Sequence, residues 1–132
     1  NQSIPSSTDT VIQFIDDFDP QNWWSTSTYR FTPTIAGYYN ITLEILWNNG
    51  TTSANQYNVQ IRKNGNQIFI WQNQITTTVG VSQGNTKILY LNGSTDYVEL
   101  YTSQNSGSTK TIYGASGNPQ ITWFNGAMVR SA

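Results

Sequence analysis

Three carboxylates crowd one short stretch, Asp16, Asp17 and Asp19, in the run Asp-Asp-Phe-Asp-Pro. Oxygen clusters of this kind can hold a hard cation such as Ca²⁺. The spacing is not that of an EF-hand loop, which needs further ligands and a closing glutamate. The same residues also make a solvated turn before Pro20, where Asp is favoured for its local hydrogen bonds. Glu44, Asp96 and Glu99 are further carboxylates, but any antiparallel sheet pairs acids by chance, which is thin ground for glycoside hydrolysis. The chain has no cysteine and no histidine, which excludes disulfides and thiolate, histidine-based and zinc chemistry. It carries no Gly-x-Ser-x-Gly, Ser-x-x-Lys or phosphate-binding glycine loop. The expectation is a protein that is not an enzyme and has no cofactor, Ca²⁺ being the one candidate ion.

Aromatic side chains are the stronger signal, at 14% of the residues. Trp23 and Trp24 fall in an expected loop, where an indole can stack on a sugar ring, plug a partner's pocket or simply pack. Tyr97 and Tyr101 share one strand face with Glu99, opposite Val98 and Leu100. If the aliphatic pair faces the core, the tyrosines face outward, as interface residues do. Asn55, Gln104 and Asn105 sit in polar loops and, with the two tryptophans, are the candidate ligand-binding residues. Tyr38, Leu46, Tyr97, Glu99 and Tyr101 are the candidate subunit-interface residues, and aspartate at Tyr97 or Tyr101 is expected to disrupt assembly.

The elements that must hold these groups are strands. After a turn at residues 33–37 the chain alternates from Tyr38 to Trp47: Tyr39, Ile41, Leu43, Ile45 and Trp47 point one way, Tyr38, Asn40, Thr42, Glu44 and Leu46 the other. Residues 10–15, 56–63, 68–71, 75–81, 87–91, 96–102, 110–113 and 121–129 are further strand candidates. Asn64-Gly65 is the clearest hairpin turn, and no segment has helical periodicity. The 132 residues are enough for one domain. Residues 1–9 read as an arm or linker, and residues 10–132 as a single all-β antiparallel sandwich of about ten strands, jelly roll or immunoglobulin-like. Asn, Gln, Ser and Thr make up 57 of the 132 residues, only 10% are charged and the net charge is -1. Such a surface cannot bind a nucleic-acid backbone, and no stretch is long and apolar enough for membrane insertion as a helix. The chain begins at Asn1 without Met, which suggests a processed product or an excised domain. Three Asn-x-Ser/Thr triplets, at Asn40, Asn49 and Asn92, are expected by chance in so Asn- and Thr-rich a chain.

Several segments are familiar. Phe31-Thr32-Pro33-Thr34-Ile35-Ala36-Gly37-Tyr38-Tyr39 resembles the F-x-x-P-x-x-G-x-Y signature of the C1q/TNF-like jelly rolls. Asn58 to Gly65 resembles the central hairpin of that family, and Trp47 the end of the strand before it. Asp96-Tyr97-Val98-Glu99-Leu100 resembles its G-D-x-V-x-L strand, with Ser94-Thr95 where a glycine often stands. Thr122 to Met128 resembles the closing S-x-F-S-G-x-L. The resemblance covers nearly the whole chain, from Thr10 to Val129. It implies a ten-stranded jelly roll assembled as a homotrimer, a head on a fibrous stalk, binding through surface loops. The neutral, cysteine-free composition is similar in style to heads of bacteriophage fibres, spikes or capsid-attached proteins. That implies a virion-surface or extracellular site, with a fibre stalk or capsid protein and a cell-surface glycan or protein as partners. Two other functions fit the residues: a purely structural fibre cap or capsid decoration, and a monomeric carbohydrate-binding module.

Overall fold

The computed structural model describes residues 1–48, 55–76, 80–114 and 121–132. The strands are β1 (Gln2–Ile4), β2 (Thr10–Val11), β3 (Trp24–Ser25), β4 (Arg30–Phe31), β5 (Gly37–Trp47), β6 (Asn55–Lys63), β7 (Asn66–Ile75), β8 (Val81–Leu91), β9 (Val98–Gln104), β10 (Lys110–Tyr113) and β11 (Trp123–Ser131). They form two antiparallel sheets. The first runs β1-β10-β5-β11, with β8 also on β5; the second runs β3-β4-β9-β6-β7, with β2 also on β9. This is the expected sandwich.

The central strand β5 explains the first sheet. Its apolar set, Tyr39, Ile41, Leu43, Ile45 and Trp47, is buried, and the alternate set is half-exposed or exposed. Each such side chain contributes about 1.5–3 kcal/mol of burial, so register is strongly fixed. β8 covers one edge of β5 from Gly37 to Trp47. β10 and β11 therefore share the other edge in tandem, β11 from Gly37 to Glu44 and β10 at Leu46 and Trp47.

The signature from Phe31 to Tyr39 now has physical reasons. Phe31 and Tyr39 are core residues with rings 5.8 Å apart, and Pro33 is buried. A Cβ on Gly37 would lie 2.5 Å from the Arg130 carbonyl oxygen, so only glycine lets β5 and β11 meet there. The Tyr39 hydroxyl donates to the Ile35 carbonyl oxygen at 2.7 Å and closes the turn; burial raises its pKa. Asn64 and Gly65 both have positive φ, the conformation of a two-residue type I′ hairpin turn.

Residues 1–9, expected as an arm, are differently placed. Gln2–Ile4 pairs with β10 and Ile4 is fully buried, so this segment is an edge strand of the first sheet. Gln21–Tyr29, expected as a loop, contains β3, which pairs Trp24 with Phe31. The strand expected over residues 75–81 is instead the end of β7 and the start of β8; residues 77–79 lie outside the described residues.

Gly126 in β11 faces the core, where an added Cβ would come within 2.8–3.1 Å of the Phe31 ring. That ring is wedged against Tyr39, Trp23 and Phe124, so it cannot yield cheaply. Gly126→Val is expected to cost about 1–3 kcal/mol, read as a lower urea midpoint at unchanged slope.

Candidate functional site

An aromatic cluster closes one flank of the sandwich. Phe14 is buried and meets Trp24 edge-on at 6.3 Å and Phe124 at 5.9 Å; Trp24 and Phe124 are 5.3 Å apart. The Trp24 indole N–H donates to the Phe14 carbonyl oxygen at 3.4 Å. Trp23 packs against Phe31 and Tyr39 at 6.0 and 5.9 Å and donates to Thr34 Oγ1 at 3.0 Å. Both tryptophans are half-buried packing residues with part of each ring left toward solvent.

Closing residue 14 on residue 24 makes the chain between them a loop. Asp19 Oδ2 accepts the Trp24 N–H at 2.6 Å, and the Asp19 carbonyl accepts the Asn22 N–H at 3.0 Å. Ile15 and Phe18 project outward, 71% and 87% exposed. A groove of about 1120 Å³ runs between this loop and strands β10 and β11. Asn1 and Gln2 stand among its lining residues, as do Trp123 to Met128, Trp23 and Trp24. Asp16, Asp17 and Asp19 also line it, and no Lys or Arg does.

The structure therefore brings the two tryptophans and the three aspartates to one place. It does not make the aspartates a Ca²⁺ site. Among the described residues no group of three or more acidic side chains is placed to hold a metal ion. Asp19 is turned inward to cap the turn, so the cluster cannot converge on one point.

The other candidate ligand residues do not line the groove. Gln104 is 2% exposed. Its Nε2 donates to the carbonyls of Ile4 and Ser108 at 3.1 and 2.8 Å, and its Oε1 accepts the Ser106 N–H at 2.7 Å. It fixes the turn from β9 to β10 and has no polar group to offer a ligand, which corrects that expectation. Asn105 Oδ1 accepts the Gln56 N–H at 2.7 Å and ties the same turn to β6. Asn55 begins β6 opposite Ile75; residues 51–54 of its expected loop, and the triplet at Asn49, lie outside the described residues.

Tyr97, just before β9, and Tyr101 on it are half-buried, and each carries a guanidinium 4.0 Å above its ring, Arg30 on Tyr97 and Arg62 on Tyr101. Arg62 also pairs with Asp9 and with Gln60 Oε1. Glu99, expected at a subunit interface, is only 6% exposed. Its carboxylate accepts Arg30 Nε at 2.9 Å and holds the guanidinium pKa above its ordinary value. Glu99 is thus engaged within its own chain. Leu46 is half-buried on β5, and its N–H donates to Thr122 Oγ1 at 3.0 Å.

Large exposed apolar groups that the alternation did not reveal include a set on β7 and β8, the edge strands of the two sheets, besides Ile35 and Met128 and Val129 of β11. Ile68, Ile70 and Trp71 stand on β7, Ile70 on the outer face of the second sheet, and Ile88 and Tyr90 stand on β8, on the outer face of the first sheet, so these groups flank the edge of the sandwich from both sides. The two edges adjoin, because Lys87 Nζ of β8 lies 5.7 Å from the Phe69 ring of β7. Tyr38 extends this wall by meeting Tyr90 edge-on at 5.6 Å. The sequence did contain a signal, the apolar run Ile68-Phe69-Ile70-Trp71, in which residues of both parities are apolar.

No protein-family model matches the chain, and no curated protein matches it. Among solved structures, the globular domain of the zebrafish complement 1qA protein superposes with a TM-score of 0.63. The match covers 100% of this chain and 94% of that one, at 12% sequence identity. The protein has the fold of a C1q/TNF-like jelly roll.

Proposed function

We propose that this domain is the non-enzymatic head of a homotrimer, at a virion or fibre surface or otherwise outside cells, which attaches to a cell-surface glycan or protein. The observation that carries the reading is the apolar wall of β7 and β8 with Tyr38. Six large side chains and two strand edges that, among the described residues, have no strand on their outer side are a liability in a solitary domain. A second copy of the chain, seated on the wall in a cyclic assembly, covers both. The low charge of the surface removes the repulsion that would keep copies apart. The groove lies on the opposite flank of the first sheet, because β8 and β11 sit on opposite edges of β5. Attachment is proposed on this groove.

Because Trp71 and Ile88 are exposed, charging them leaves the monomer fold intact. Trp71→Asp with Ile88→Asp is expected to give a folded monomer with the wild-type circular dichroism spectrum. Light scattering after size exclusion reads the outcome, and an unchanged oligomer would remove the wall from the interface.

A further inference from the structure

We infer that Lys87 on the β7–β8 edge of one copy pairs with Glu44 of the next copy, whose first sheet receives that edge on its outer face. This docking rests on the cyclic head proposed above. Outside the turn at Asp16–Asp19 the acids are Asp9, Glu44, Asp96 and Glu99. Asp9 holds Arg62, Asp96 holds Lys63 and Glu99 holds Arg30. Glu44 is half-buried on the central strand of the first sheet, and no cation among the described residues pairs with it. A carboxylate partly withdrawn from water without a counter-charge costs free energy, which a cation brought by a partner offsets. Lys87 is the matching cation. It is exposed, its Nζ lies 5.7 Å from the Phe69 ring, and among the described residues no carboxylate pairs with it.

The two residues cannot meet within one chain. Glu44 stands opposite Gly84, and Lys87 opposite Ile41. Side chains alternate along a strand, so Lys87 points with Ile41 toward the mouth between the sheets, while Glu44 points out of the first sheet, about 10 Å away along the strand. A contact between two different patches of one chain repeats head to tail and closes as a ring, each copy giving its edge to one neighbour and receiving the edge of the other.

The surroundings of Glu44 suit a lysine. On the β8 side stands Gly84, where an added Cβ would lie 3.4 Å from Glu44 Cβ and 3.5 Å from its Cγ, so the missing side chain leaves the carboxylate stem open to a partner. On the other side Trp123 pairs with Glu44, and Leu46 pairs with Tyr113 next along the same face. All three of these large groups are half-buried, and a lysine stem packs on such surface while its ammonium reaches the acid. The outer face of the second sheet offers no comparable site. Gln60 there is bonded to Asp9, Asn58 and Arg62, and Asn58 to Ser103, so its polar groups are matched within the chain. Arg130 stands opposite Tyr38 on β11, across β5 from the β7–β8 edge, so the edge brings Lys87 and not Arg130 to the acid.

The test is a charge swap in the whole chain: Lys87→Glu, Glu44→Lys, and the two together. Dilution from micromolar concentration, read by light scattering after size exclusion, gives the concentration of half-dissociation, and circular dichroism reads folding. Each single variant sets like charges against one another and is expected to raise that concentration by about tenfold or more. The double variant restores the pair with its sign reversed and is expected to return to within about threefold of wild type. Lys87→Glu alters an exposed side chain, so it reads the pair even where Glu44→Lys disturbs β5. An assembled wild type whose single variants assemble unchanged, or whose double variant is no better than the weaker single one, overturns this docking and leaves the head standing. A wild type that is monomeric throughout overturns the head, and the docking with it.

Discussion

Gln83→Leu is expected to destabilise the domain by about 1–3 kcal/mol, the cost of leaving a buried donor unmatched. Gln83 is a fully buried amide on β8. Its Oε1 accepts the Trp47 indole N–H at 2.8 Å, and its Nε2 donates to the Tyr57 carbonyl at 3.0 Å. Trp47 belongs to the first sheet and Tyr57 to the second, with their rings 4.8 Å apart, so one amide joins both layers across the core. Leucine has similar volume and leaves the indole N–H without its acceptor in a site closed to water. For a chain of this size the melting temperature should fall by about 10 °C. Adding Trp47→Phe removes the orphaned N–H, and the double variant should lose less than the sum of the two single losses. Full additivity would show that the amide bridge carries no coupling.

Asp96→Asn is expected to cost about 2–3 kcal/mol at neutral pH and to flatten the acid limb of stability. Asp96 is buried where the β8–β9 connection meets the hairpin turn. Lys63 Nζ lies 2.8 Å from Oδ2, the Asn92 N–H donates to Oδ2 at 3.0 Å, and Asn64 Nδ2 donates to Oδ1 at 2.7 Å. Burial alone would push the carboxyl up; the bonds from Lys63, Asn64 and Asn92 together outweigh it and hold the pKa below its ordinary value. A depressed folded-state pKa means that the ionised form favours folding. This stabilisation is complete above the unfolded value, near pH ~4, and is lost as pH falls through the lower folded value. Urea titrations of wild type at neutral and acid pH should show that loss, and Asp96→Asn should show less of it. An acid limb of unchanged depth in the variant would assign the acid sensitivity to other carboxylates.

The fold was most legible where a strand has one wet face and one dry face. β5 alternates over its whole length because β8 on one edge and β10 and β11 on the other fix it between neighbours. The Asn64-Gly65 turn was legible because its backbone needs two positive φ angles. β8 was only half visible, since its inward positions include Gln83, Asn85 and Lys87. They lie on an edge strand, where the inner face opens to solvent or holds the amide bridge, so apolar alternation is absent. β7 was clear at Ile68–Trp71, but its continuation through Gln72, Asn73 and Gln74 is held by pairing with β6 and leaves no pattern. β3 is two residues long, too short for any periodicity. For β1, a single buried residue, Ile4, in an otherwise polar run was the only sign of a strand.

The candidate site was legible in its parts and not in its assembly. Trp23, Trp24 and the aspartates could be singled out by type. Their common groove depends on the Phe14–Trp24 closure and on β11 standing at an edge, both long-range facts. Ile15 and Phe18 were visible as large apolar residues beside three aspartates, a placement that a purely solvated turn does not require. Gln104 and Glu99 were misplaced for the same reason: a polar residue on a strand can be turned inward when the fold supplies its partners, and a short sequence window does not contain those partners.

In the proposed head, copies of the same chain cover the apolar edge of β7 and β8. The most direct measurement is the solution mass of the unmodified protein by light scattering after size exclusion at low micromolar concentration. A single species at three times the 14.8 kDa chain mass is expected. A monodisperse species at 14.8 kDa would contradict it.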